Sequence, residues 1–170
     1  MEEIARAVYK QFIYAKTNVK RNKLKIEVIS DCMKPLIEVG DKVEVCDCSK
    51  YVKGDIVAIY FNNQFYIHRV LSISETTVIT KGDRTFSLDP ETSISHIIGI
   101  VSGNVTQQTK FLRNKVATLI AGLSLLESKI FDSMNKDGNH KKLRLIYCVR
   151  QLICWLYFCV KRKKTNGRED

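Results

Sequence analysis

The 170-residue chain predicts a mainly β protein: an antiparallel β domain with a short helix before it and a helical hairpin after it. Three observations predict this. Between Leu24 and Val101 apolar residues recur at a period of two, interrupted by turns at Gly40-Asp41, Gly54-Asp55 and Gly82-Asp83. After Gly103 the apolar period lengthens to three and four, which suits helices. With 45% hydrophobic and 27% charged residues, only 8 Gly and 2 Pro, the composition excludes disordered, collagenous and low-complexity classes.

The elements follow in order. Ile4, Val8 and Phe12, beside Ala7 and Ala15, place an amphipathic helix over 2–16. Leu24, Ile26 and Val28 alternate with Lys25, Glu27 and Ile29 in a first strand, and Val43 and Val45 flank Glu44 in a second. Ile56–Phe61 and Phe65–Ile73 read as two strands joined at Asn62-Asn63, a favoured hairpin turn. Thr77–Thr80 and Ile97–Val101 supply two more. Leu112, Val116, Leu119, Leu123, Leu126 and Ile130 predict a helix over 111–134, broken at Lys136-Asp137-Gly138-Asn139. A second helix over 141–164 carries the stripe Leu145, Val149, Leu152, Leu156 and Val160, with Arg144, Tyr147, Arg150 and Gln151 on the other side. The chain thus divides into 1–22, a helix and linker, 23–105, the β domain, and 106–170, the hairpin with a basic tail.

The net charge of +10 is uneven: residues 1–110 carry 15 basic and 13 acidic side chains, residues 111–170 carry 13 and 5. Trp155 and Tyr157 precede Lys161-Arg162-Lys163-Lys164, so residues 141–164 are expected to touch an anionic membrane peripherally. The alternative is a hairpin that buries its stripes on itself or on the β domain. The uncharged run Gln151–Val160 is too short to span a bilayer, and the Met-Glu-Glu start predicts no secretory signal, so the expected location is membrane-associated or cytoplasmic. The six cysteines include Cys46-x-Cys48, on one face of a strand, but show no zinc spacing; they read as free, mostly buried thiols in a reducing cytosol, and neither metal nor cofactor is expected. His96 and His140 read as structural or surface residues.

Three segments carry chemistry: Ser30-Asp31-Cys32-Met33-Lys34-Pro35 with Gly40-Asp41, then Ile67-His68-Arg69-Val70, then Thr80-Lys81-Gly82-Asp83 with Asp89 six residues on. In this order and spacing, over residues 26–101, they resemble the type I signal peptidase superfamily, in the Ser/His branch of the endoplasmic reticulum and spore formers. The resemblance implies that Cys32 stands in the nucleophile position, His68 is the general base, Asp89 orients the histidine and Asp83 is a nearby structural or catalytic aspartate. Ser30, with the backbone N–H of Cys32, matches the oxyanion hole. Those residue types suit acyl transfer, which needs a nucleophile, a base within reach and donors for the oxyanion. The sequence departs from the family with Cys for Ser at 32, Asp for Gly at 31, Arg84 and Thr85 for an Asn pair, and an amphipathic helix for the N-terminal anchor.

The expected function is therefore a signal-peptidase-like endopeptidase, a hydrolase that cleaves a leader or signal segment from a peptide or preprotein with small residues at −1 and −3. An inactive peptide-binding protein of the same fold is the alternative. A self-cleaving repressor of the Ser/Lys branch is disfavoured, because His replaces Lys and no DNA-binding helix-turn-helix precedes the β domain. No nucleic acid is expected as a partner.

Overall fold

A computed structural model describes residues 2–106, 109–110, 115–137 and 140–166, with side chains over 6–106, 115–133 and 143–156. Helix α1 (Glu2–Arg21) leads into strands β1 (Leu24–Glu27), β2 (Lys42–Cys46), β3 (Ile56–Phe61), β4 (Gln64–Ile73), β5 (Thr77–Lys81), β6 (Thr92–Ser93), β7 (Ile97–Asn104) and β8 (Thr109–Lys110); helices α2 (Lys115–Asp137) and α3 (His140–Asn166) follow. The strands form one antiparallel, curled half-barrel sheet in the order β1-β2-β7-β3-β4-β5-β6, with β8 also on β7. The predicted mainly β architecture with flanking helices is therefore present.

Strand β3 lies inside the sheet, and all six of its residues are buried. Its period of two feeds two cores. Ile56, Ala58 and Tyr60 join Phe12, Val19, Met33, Val43 and Ile98 on one face. Val57, Ile59 and Phe61 join Val70, Val78 and Ile97 on the other. Asn62 and Asn63 both take positive φ, 48° and 58°, as a two-residue type I′ hairpin turn requires. Helix α1 covers the first face and runs past its expected end at 16, because Phe12, Ala15 and Val19 continue the inward stripe.

Other boundaries differ from expectation for local reasons. Strand β1 stops at Glu27, since Val28 exchanges its backbone bonds with the Gly40-Asp41 turn instead of β2. Strand β2 ends at Cys46, so Cys48 lies off the strand and the two thiols share no strand face; Cys46 donates to Ser102 Oγ and Cys48 to the Lys50 carbonyl. After Gly103 the chain first makes β8, and α2 begins at Lys115. Leu112, Gly138 and Asn139 lie outside the described residues, as do the side chains of His140, Tyr157, Val160 and Lys161–Lys164.

The hairpin packs the reverse of the reading in which its apolar stripes are buried. Helix α2 turns Ala117, Ile120, Ala121, Ser124, Glu127 and Ser128 inward, and α3 turns Leu143, Arg150 and Cys154 inward. Leu119, Leu126, Leu145, Val149, Leu152 and Leu156 are exposed instead. The physical cause is Lys81 at the end of β5, whose side chain is wholly buried. Its ammonium donates to Ser124 Oγ and Glu127 Oε2, both at 2.8 Å, and Arg150 Nε reaches the same carboxylate oxygen at 3.0 Å. A buried cation needs these partners more than leucines need burial, so Ser124, Glu127 and Arg150 turn inward among the small and apolar Ala117, Ile120, Ala121 and Leu143. The α2 backbone also sits directly on Gly54, where a Cβ would lie 2.7 Å from the Ala117 carbonyl carbon.

Glu127→Ala would leave two buried cations without their shared carboxylate. It is expected to cost about 3–5 kcal/mol of unfolding free energy in urea titration, whereas Asp132→Ala on the exposed side of α2 is expected to change it by less than about 0.5 kcal/mol. Equal effects would contradict this packing account.

Candidate active site

The turn after β1 is held by Met33, which is fully buried in the first core, and by bonds from Lys34 N to Asp31 O and from Leu36 and Ile37 N to Met33 O. Asp41 closes it from below: its backbone carbonyl accepts from Val28 N–H, and its carboxylate accepts from Glu38 N–H and from Asn104 Nδ2. Cys32 is thereby presented half-buried, with its sulfur 3.1 Å from Ser30 Oγ. The backbone of Gly82 lies against it; a Cβ there would stand 2.9 Å from Cys32 O and 3.0 Å from Cys32 Cβ, so only glycine fits without displacement. Arg84 N–H bonds Cys32 O at 2.8 Å and locks the two segments together.

His68 sits on β4 opposite Val57 and is almost completely buried. Its Nδ1 is 2.6 Å from Asp89 Oδ2, which leaves Nε2 as the free ring nitrogen; the Cys32 side chain lies close enough to bear on the ring's charge, and its sulfur is 3.9 Å from the Ile67 carbonyl. Asp89 is fixed in turn by Thr80, through Asp89 N to Thr80 O at 3.0 Å and Thr80 Oγ1 to Asp89 Oδ2 at 2.6 Å. Burial alone would lower the His68 pKa, but the bonds to Asp89 and Cys32 and their negative charge outweigh it and push it up to about 9. The imidazolium is thus the favoured form at neutral pH.

Of the residues expected here, Cys32, His68, Asp89 and Ser30 are brought together. Asp83 is not: both its carboxylate oxygens are taken by Arg69, Nε at 2.8 Å and Nη2 at 2.6 Å, in a fully buried pair. Burial would raise the Asp83 carboxyl, and the Arg69 guanidinium holds it below the usual range instead. Its place is structural, tying β4 to the turn after β5, so a catalytic part for it is set aside.

The sequence reading missed several residues that shape the site. Thr80 orients Asp89. Arg84 pairs with Asp31, so two departures from the family pattern answer one another and the charge beside Cys32 is matched. Phe86, on the loop between Asp83 and Asp89, stacks on Phe131 and contacts Tyr147, while Ser128 Oγ bonds its carbonyl and Gln151 Nε2 bonds the Asp83 carbonyl. The hairpin thus grips the loop that carries the histidine's carboxylate. Nothing local in the sequence of α2 signalled this, since Glu127 is one of several charged residues on that helix.

Beside Cys32 opens a cleft of about 570 Å³, counting space open to solvent, lined mainly by apolar residues of 26–33 and 65–67 with Ala58 and Ile98 beneath. Ladder bonds from β5 to β4 begin only at Arg69, so the 64–67 edge of β4 beside the cleft carries no β5 strand. Such an edge suits an extended peptide. The arrangement provides a thiol, a protonatable base, a carboxylate bonded to it and an apolar trough beside them. Among the described residues no cluster fit to hold a metal ion is present. Compared with family models, with curated proteins and with solved structures, the chain matches none.

Because the His68 pKa lies above its unfolded value of 6.5, its contribution to stability is fully present below pH 6.5 and is lost as pH rises through about 9. Wild type should lose stability relative to His68→Gln between pH 6 and pH 10, by an amount on the order of 3 kcal/mol. Parallel urea titrations at the two pH values check this; curves that keep a constant separation would contradict the ion-paired geometry.

Proposed function

We propose that this chain is a cysteine endopeptidase of the signal peptidase superfamily, cleaving a leader or signal segment from a peptide precursor at or near a membrane surface. The observation that carries the proposal is the line Cys32–His68–Asp89 beside an apolar cleft with an open strand edge. The substrate lies extended along the 64–67 edge and presents its scissile carbonyl to Cys32 Sγ. Sulfur attacks the carbonyl carbon, and the thiol proton resides on His68 Nε2. Asp89 holds the other ring nitrogen and stabilises the imidazolium. The backbone N–H of Cys32 and the hydroxyl of Ser30 meet the oxyanion. Collapse of the tetrahedral intermediate breaks the C–N bond, and the imidazolium gives its proton to the leaving amine. Water, deprotonated by His68, then hydrolyses the thioester and returns the thiol.

Arg84 removes the main electrostatic objection, a bare carboxylate at 31 next to a nucleophile that works as a thiolate. Small side chains at −1 and −3 fit the resemblance and the limited trough. Among the described residues no helix is long and apolar enough to cross a membrane, so contact with a membrane surface would be peripheral.

A peptide library with small residues at −1 and −3, read by mass spectrometry, tests the proposal. Wild type should cleave, Cys32→Ala should not, Cys32→Ser should retain a fraction, and His68→Ala should lose about 10²–10⁴ in rate. Activity should decline as pH rises through about 9, when the imidazolium loses the proton the leaving amine needs. Binding of library peptides with no cleavage by any form would establish the peptide-binding alternative.

A further inference from the structure

We infer that the outer face of the α2–α3 hairpin is a docking surface for an anionic lipid membrane. This inference extends the location proposed above and stands on the hairpin alone, not on the peptidase chemistry. Both helices face the β domain with a side that carries Glu127 and Arg150, which pair with Lys81, so their leucine-rich sides project outward. Leu119 and Leu126 on α2, and Leu145, Leu152, Trp155 and Leu156 on α3, are each 46–65% exposed. Exposed leucines scattered singly are ordinary, but six large apolar side chains on two adjacent helices form a patch of the kind that marks an interaction surface.

Charge selects the occupant. Residues 111–170 carry 13 basic and 5 acidic side chains. Glu127 and Arg150 are buried together with Lys81, so neither counts toward the surface, and the rest of this segment carries 12 basic and 4 acidic side chains. Exposed Lys115, Lys129 and Arg144 flank the patch, and the sequence Lys161-Arg162-Lys163-Lys164 occupies the last turns of α3. An apolar strip bordered by cations, with a tryptophan on it, matches an interface of anionic headgroups over acyl chains. A second copy of this chain fits poorly, since it would set two strongly basic hairpins face to face. Lys141 and Lys142 begin α3 in sequence while Lys161–Lys164 end it, so basic residues lie toward both ends of the strip.

The chain has one tryptophan, Trp155, and it lies on the patch, so its fluorescence reports occupancy directly. With vesicles of phosphatidylglycerol and phosphatidylcholine at low salt, the emission should shift to the blue, brominated acyl chains should quench it, and the protein should float with the vesicles. Phosphatidylcholine alone, or high salt, should weaken all three. The double variant Leu152→Glu with Leu156→Glu should lose about tenfold or more in vesicle affinity while keeping the wild-type melting temperature, since both side chains are exposed. Emission unchanged by anionic vesicles, with the protein left in the dense fraction, would overturn the inference. So would blue emission before any lipid is added from a protein that elutes as a dimer, because the patch would then be covered by a second copy. Quenching in the wild type needs no variant, and cleavage of soluble peptides needs no membrane, so this inference and the peptidase reading fail separately.

Discussion

A lysine ammonium taken wholly out of water needs a carboxylate within reach, and Lys81 finds it in Glu127 at 2.8 Å, 46 residues further along the chain. That demand orients α2, brings Arg150 of α3 to the same oxygen, and turns the leucine stripes of both helices outward. Lys81 belongs to a run in which each neighbour has its own task. Thr80 holds Asp89, Gly82 lets Cys32 approach, and Asp83 locks Arg69. Four consecutive residues therefore join the strand core, the Cys32 turn, the histidine and the hairpin.

This arrangement gives the loop between Asp83 and Asp89 two anchors. On one side Arg84 bonds Cys32 O and pairs with Asp31; on the other, Phe86 lies against Phe131 and Tyr147. The loop delivers the carboxylate that keeps His68 protonated, so the charge state of the site depends on packing more than one layer away. A thiol opposite a buried imidazolium is an electrostatic arrangement, and its strength rests on the exclusion of water around His68 as much as on the identity of its partners.

Strand β3, buried on both faces, was legible as a short run of β-branched and aromatic residues bounded by turns, whereas strands with one exposed face, such as Leu24–Glu27, show the period of two. The Asn62-Asn63 turn was legible because few residues accept positive φ twice in a row. Strands β6 and β8, at two residues each, have no period to read. Among site residues, Cys32, His68, Asp89 and Ser30 stood out by order and spacing. Asp83 did not declare its partner, since a Gly-Asp turn and a buried Arg–Asp pair look alike in sequence. The Asp31–Arg84 pair spans 53 positions and left no local mark. Of the two readings of the hairpin, the one that buries its leucine stripes does not hold, because nothing local to α2 or α3 announces a buried lysine on β5.

The central claim is that Cys32, His68 and Asp89 act as one reactive unit. Its most direct measurement is the labelling rate of each cysteine by a peptidyl acyloxymethyl ketone, mapped by mass spectrometry in wild type and His68→Ala. The account predicts label on Cys32 ahead of Cys46, Cys48 and Cys148, and a fall of about a hundredfold or more without His68. Comparable labelling of exposed Cys148 and Cys32, unchanged by loss of the histidine, would contradict it.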